Sequence, residues 1–252
     1  MMMDDYGRFQ PRTHQRINQL QTRLRTLDLP PTSEAHIHDA LGVMLDAHCE
    51  QKGRQSGEDY AQHPLEVALH VIEQFGATSP EVIIAALLHD TVEDQARKLV
   101  AMRDTLPSTD GELQEQALRA LADRFGPRVA ELVSILTNPD FDALLAQYRR
   151  AGQETDKYQL YSQHFAQIYE RDAEAFMIKM ADFAQNALHL DTVPEGSRKA
   201  HFRRKYGPVI LLTLDRLQTL TDPAHPLFAQ RAALTAQLTA VYQRDYAPFI
   251  NV

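Results

Sequence analysis

A single cysteine, Cys49, is all that 252 residues contain, and this excludes an internal disulfide. With no partner thiol and no CxxC pair, Cys49 reads as a small buried apolar side chain rather than a reactive thiol. Long apolar runs are also missing. None approaches the roughly 18 residues that a membrane span needs, and the opening MMMDDYGRFQ is too polar for a signal peptide. A cytoplasmic location with no membrane partner is therefore the expectation. Positive charge is in deficit, with 26 Lys and Arg against 34 Asp and Glu for a net charge of −8, which argues against a nucleic-acid partner. A local basic pocket for an anionic small molecule remains compatible with that balance. Internal repeats, a Gly-rich phosphate loop and alternating β-type patterning are absent too, so the expected fold is all-α.

What is present is an ordinary globular composition, 44% hydrophobic and 24% charged, enough for a sizeable core. Residues 1–15 read as a polar, frayed leader, followed by a short helix over Gln15–Leu27 that Pro30-Pro31 ends. Ser33 caps a helix over Glu34–Gln51 whose apolar face includes His48. The plain reading of His48 is a core histidine with both ring nitrogens satisfied. Lys52–Pro64 is a polar loop. His63 precedes Pro64 and is biased towards extended backbone, at the mouth of the next helix. Thr105–Gly111 is a linker, and helices are expected over Glu112–Phe125, Pro127–Leu136, Asp156–Tyr169, Ala173–Leu190, Leu211–Leu220 and Leu227–Tyr246. The polar stretch Asp140–Gln153 is expected to be mobile.

The most informative stretch is Pro80–Asp94, PEVIIAALLHDTVED. Ser79 and Pro80 are start signals, an apolar run follows, and four polar side chains close it. Read as one helix, His89/Glu93 and Asp90/Asp94 each share a face. Imidazole next to carboxylate suits a divalent ion that activates water, such as Mn, Fe, Zn or Ni, and leaves positions for ligands from elsewhere in the chain. The plainer alternative is a histidine closing a buried helix, with the acids on a solvated face. His63 is well placed as a further ligand, against the plain reading of an exposed loop histidine.

Three strings carry a resemblance: RxSGExYxxHPxxVA over Arg54–Ala68, AALLHDxVED over Ala85–Asp94, and IKMADxxxN over Ile178–Asn186. In order and spacing, over roughly residues 36–215, they resemble the hydrolase domain of RelA/SpoT-type alarmone enzymes, within the HD superfamily. The resemblance implies a metal, usually manganese (Mn2+), held by His63, His89, Asp90 and Asp182. It implies Glu93 and Asp94 as the acid-base pair, with their individual roles open, and Arg54 and Ser56 in the loop that meets the guanine base. Lys179, Asn186 and Arg203 are the remaining candidates for nucleotide contacts. Lys179 reads equally as a surface lysine with a buried stem, and the cations of SRKAHFRRKY (197–206) as a solvated stripe. The chain departs from the family pattern at Gln55, Asn138, Phe183 and Gln185, where Lys, Lys, Arg and His are usual, which puts the substrate side of the site in question.

The expected organisation is a leader and short helix (1–32), an HD-type helical bundle (33–220) and a C-terminal helical extension (221–252). These leave no room for a synthetase or regulatory domain, so a stand-alone small alarmone hydrolase is expected. The implied reaction removes the 3′-pyrophosphate of guanosine tetra- or pentaphosphate. Two alternatives stand beside it: an HD-type phosphohydrolase for another nucleotide, such as (p)ppApp, a nucleoside monophosphate or a phosphorylated dinucleotide, and a non-catalytic nucleotide-binding module. The partner expected is the nucleotide, and a homo-oligomer is left open.

Overall fold

The computed structural model describes residues 7–51, 53, 57–101, 109–188 and 190–249. Arg54 and Ser56 lie outside the described residues, as does most of the expected linker 105–111. Among the described residues there are twelve α-helices and no strand, in agreement with the all-α expectation. They form two compact units, residues 1–137 and 138–252.

The first unit is built around its most apolar helix. Helices α1 (Pro11–Leu24), α2 (Pro31–His48) and α3 (Gln62–Glu73) precede α4 (Pro80–Leu88), whose residues Val82–Leu88 are all buried. A helix apolar all round must be covered on every side. α4 packs against α2, α3 and the later α7 (Pro127–Leu136), while α5 (Thr91–Val100) and α6 (Asp110–Phe125) pack on each other beside α2 and α7. Ser79 caps α4 by accepting from the Val82 N–H, with Pro80 in the first turn where its missing donor costs nothing. α6 and α7 are joined by Gly126 alone, at φ 93°, a left-handed value that favours glycine, with Pro127 opening α7.

The second unit holds α8 (Phe141–Arg150), α9 (Lys157–Arg171), α10 (Ala173–Ala187), α11 (Ser197–Thr219) and α12 (Arg231–Val241). α10 is its buried element, with every residue from Ala175 to Ala184 out of solvent. Acidic N-caps set the starts: Asp140, Asp156 and Asp172 each accept from two backbone N–H groups of the following turn.

Three local expectations are corrected. Thr13 and Phe9, assigned to a frayed leader, are buried, and α1 starts at Pro11. Asp140–Gln153, read as mobile, is largely α8, because Asp140 caps it and Leu145 gives it a buried contact. The basic stretch 197–206 and Leu211–Leu220 lie on one helix, α11, in agreement with the reading of the second as continuing the first, and Pro208 sits inside it. The last α-helix stops at Val241 and widens into a π turn over Tyr242–Tyr246.

Candidate metal centre

The motif stretch is not one helix. α4 ends at Leu88, and α5 starts at Thr91, so His89 and Asp90 occupy the junction. Side chains that capture carbonyls of the last turn of α4 explain the break. The His89 Nδ1 atom lies 2.8 Å from the Ala86 carbonyl oxygen, and the buried Thr91 hydroxyl donates to the Leu88 carbonyl at 2.6 Å. Asp90 stands at the N-cap of α5 yet makes no side-chain cap bond. Its carboxylate is engaged elsewhere.

That carboxylate is where the histidines meet. His89 Nε2 is 3.2 Å from Asp90 Oδ1, and His63 Nε2 is 3.4 Å from Asp90 Oδ2. The two imidazoles stand edge to face, centroids 5.2 Å apart, and one ligand atom from each of the three residues lies within 4.8 Å of the others. His63 is delivered from the first turn of α3, not from extended backbone. The bias of a residue before proline is overridden because α3 buries Leu65, Ala68, Val71 and Ile72, and proline is tolerated in a first turn.

A carbonyl can only accept, so Nδ1 of His89 donates to it, and Nε2 is the ring nitrogen turned to the Asp90 carboxylate. An imidazole nitrogen 3.2 Å from a carboxylate oxygen calls for a proton or a cation held with them. One divalent ion satisfies His63, His89 and Asp90 together, and the imidazole–carbonyl bond that orients His89 is the outer support that metal-binding histidines typically have. The donor set therefore fits a divalent metal. Burial alone would raise the Asp90 carboxyl, but His89 and His63 outweigh it and hold the group well below the usual carboxylate range.

Around this trio lies an array to which the sequence assigned no function. Tyr60, buried, donates its hydroxyl to Asp90 Oδ2 at 2.5 Å and stacks on His48 with centroids 4.9 Å apart. His48 is 1% exposed, as a core histidine should be, but only Nδ1 is satisfied, by Gln51 Oε1 at 2.6 Å, while Nε2 is buried with no hydrogen-bond partner among the described residues. Burial lowers the proton affinity of its ring against the pull of Gln51, Asp90 and Asp94. Gln51 in turn donates from Nε2 to Asp94 Oδ2 at 2.8 Å. The spacings that could have shown the array are Tyr60 three residues before His63 and Gln51 three after His48. Glu93 and Asp94 are exposed in the first turn of α5, where negative charge also complements the helix dipole.

In the second unit, Asp182 and Asn186 share a face of α10 as their spacing requires. Asn186 Nδ2 donates to Asp182 Oδ1 and to the Asp182 carbonyl, each at 2.9 Å. Lys179 is no surface lysine: it is 4% exposed, and its Nζ donates to Asp182 Oδ2 at 3.0 Å. Phe183, one of the departures from the family pattern, is fully buried among Phe165 and Tyr206. Arg203 donates to both Glu195 oxygens at 3.0 Å and to the Asp245 carbonyl at 2.9 Å, and its guanidinium lies over Phe249. Its bonds, with those from Lys199, pull Glu195 down to about 2. A phosphate contact by Arg203 would have to displace these partners.

Over 169 residues the chain is 31% identical to the guanosine-3′,5′-bis(diphosphate) 3′-pyrophosphohydrolase of Aquifex aeolicus (strain VF5), covering 67% of this chain and 20% of that protein. It is 28% identical over 174 residues to the bifunctional (p)ppGpp synthase/hydrolase SpoT of Escherichia coli (strain K12), covering 68% of this chain and 20% of the other. The chain thus spans about a fifth of the length of these relatives. A solved structure described as a metazoan ortholog of SpoT that hydrolyzes ppGpp shares the fold, with a TM-score of 0.55 at 20% identity over 83% of this chain and 95% of that one. The family model for the HD domain matches residues 40–207, and on that match this chain belongs to the HD domain family.

Proposed function

We propose that the protein is a metal-dependent phosphohydrolase that removes the 3′-pyrophosphate of guanosine tetra- or pentaphosphate, giving GDP or GTP and pyrophosphate, with Mn2+ as the ion. The observation that carries the reading is the cluster of His89 Nε2, His63 Nε2 and the Asp90 carboxylate, in a chain similar to proteins named for this reaction. His63, His89 and Asp90 would hold the ion, and Asp182 is assigned as the fourth ligand. The ion, when bound, activates water and offsets charge developing on phosphoryl oxygens.

The chain's own residues do the rest. Glu93 and Asp94, exposed at the start of α5, orient water and carry protons to and from the reacting groups. Lys179 and Asn186 fix both oxygens of Asp182. Arg54 and Ser56 are assigned to the base of the nucleotide. A different nucleotide is the second reading, favoured by Phe183, since a buried phenyl ring offers phosphate nothing in place of the usual arginine.

Incubating purified protein with Mn2+ and a panel of nucleotides, followed by ion-exchange separation of products, tests both readings. GDP or GTP with intact pyrophosphate is the expected result. Orthophosphate release, or turnover of an adenine nucleotide in preference to (p)ppGpp, moves the assignment to the second reading. No turnover of any nucleotide removes both.

A further inference from the structure

Gln51 lies outside every residue so far given a part in the reaction, yet both ends of its side chain are bonded within the array beside the metal ligands. Nε2 donates to Asp94 Oδ2 at 2.8 Å, while Oε1 accepts from His48 Nδ1 at 2.6 Å and from Gln95 Nε2 at 2.8 Å. The Asp94 carboxylate can only accept, and this sets which end of the amide faces it. Turned over, the Gln51 oxygen would face that carboxylate, its NH2 would face the Gln95 donor, and His48 would have to change tautomer to keep its bond.

The far end is anchored firmly. His48 is 1% exposed and clamped by its stack on Tyr60, and Gln95 leaves the helical conformation (φ −134°, ψ 22°) where its amide reaches Gln51. The same Tyr60 donates to Asp90. One connected array therefore holds two acids of the HDxxED motif: Asp90 through Tyr60, and Asp94 through Gln51 and His48. Asp94 needs such a hold more than Asp90 does, because it is exposed, and an exposed aspartate otherwise samples several rotamers.

We propose that Gln51 is a positioning residue for Asp94, locked in orientation by His48, so that the Asp94 carboxylate is aimed before substrate arrives. The inference rests on the reading of Asp94 as a proton-handling group. Outer partners of this kind set activity through the group they hold, typically by about 10- to 100-fold. A group that aims a reacting carboxylate acts at the transition state more than on substrate binding, so the loss should fall on kcat.

The test uses the full chain loaded with Mn2+. Gln51→Glu keeps the length and the acceptor for His48 and Gln95 but turns an acceptor on Asp94. It is expected to lower kcat by about 10- to 100-fold with KM within about twofold and metal content unchanged. His48→Asn, which retains a donor near the Nδ1 position, should keep most of the activity, and His48→Leu should lose it to the same degree as Gln51→Glu. Equal losses for His48→Asn and His48→Leu, or kcat within twofold of the parent in Gln51→Glu, overturn the proposal. The bond itself is read without turnover, as the side-chain amide protons of Gln51 in a 15N-labelled sample, assigned through Gln51→Leu. Their slow exchange and its loss in Asp94→Ala support the geometry even if the parent hydrolyses no alarmone. Fast exchange in the parent, unmoved by Asp94→Ala, overturns the proposal whatever the substrate proves to be.

Discussion

His89 and Asp90 are chain neighbours whose side chains meet at 3.2 Å across a helix junction, with the imidazole already oriented by the Ala86 carbonyl. The Nδ1 contact turns Nε2, the atom that would bind an ion, towards Asp90. Metal binding should therefore stabilise the folded chain, by about 2.7 kcal/mol when free Mn2+ is 100 times its dissociation constant. Thermal unfolding with and without Mn2+, and elemental analysis of His89→Ala, check this. The variant should lose the bound ion and the Mn2+-dependent rise in Tm together, and an unchanged metal content would place the ion elsewhere.

Glu93 is exposed in the first turn of α5, so removing its charge disturbs no packing. Glu93→Gln should lower kcat by about 10²–10⁴-fold, the usual cost of one proton-transfer group, with the metal retained. If Glu93 only complements the helix dipole, kcat will stay within a few-fold and stability will fall by about 0.3–1 kcal/mol.

Lys179 and Asp182 form a buried ion pair at 3.0 Å, with side chains 5% and 10% exposed. Removing one partner leaves a charge without its counter-ion in a place that water scarcely reaches. Lys179→Met should cost about 3–5 kcal/mol in urea unfolding, and Asp182→Asn a comparable amount. The double variant should recover part of the loss. Strict additivity of the two single effects would mean that the pair is not coupled.

His164 is largely buried and its proton affinity is pulled down to about 4, mainly by burial, with the Lys179 charge adding to it. The folded value lies below the ordinary 6.5, so the unfolded chain binds the extra proton first as pH falls. Stability from this group is whole above pH 6.5, shrinks as pH falls towards 4, and is lost by at most about 3 kcal/mol. His48 is shifted in the same direction by its burial and adds to the slope. Denaturant midpoints from pH 7 to 4 should flatten in His164→Gln, and an unchanged slope in that variant would mean that the ring takes up its proton over the same pH range in the folded and unfolded chains.

The amino-acid sequence by itself determined the all-α class and the apolar α4 with its Ser79 cap, which were legible because helix starts and apolar runs are settled within a turn or two of chain. The grouping of His63 with His89 and Asp90 spans separate helices and was read through the family resemblance of the motifs. Tertiary structure alone decided that the HD pair breaks its helix, since the break depends on side chains turning back onto the Ala86 and Leu88 carbonyls within a packed junction. It also decided the partners of long polar side chains. Lys179 reads as a surface cation until α10 is buried, Arg203 as a phosphate ligand until Glu195 and Asp245 take its donors, and His48 as inert core until Tyr60 and Gln51 flank it. Spacing along one helix sets which residues share a face. Which atoms that face meets is set by helices distant in sequence, whose approach is governed by the burial of apolar surface and not by the polar groups it brings together.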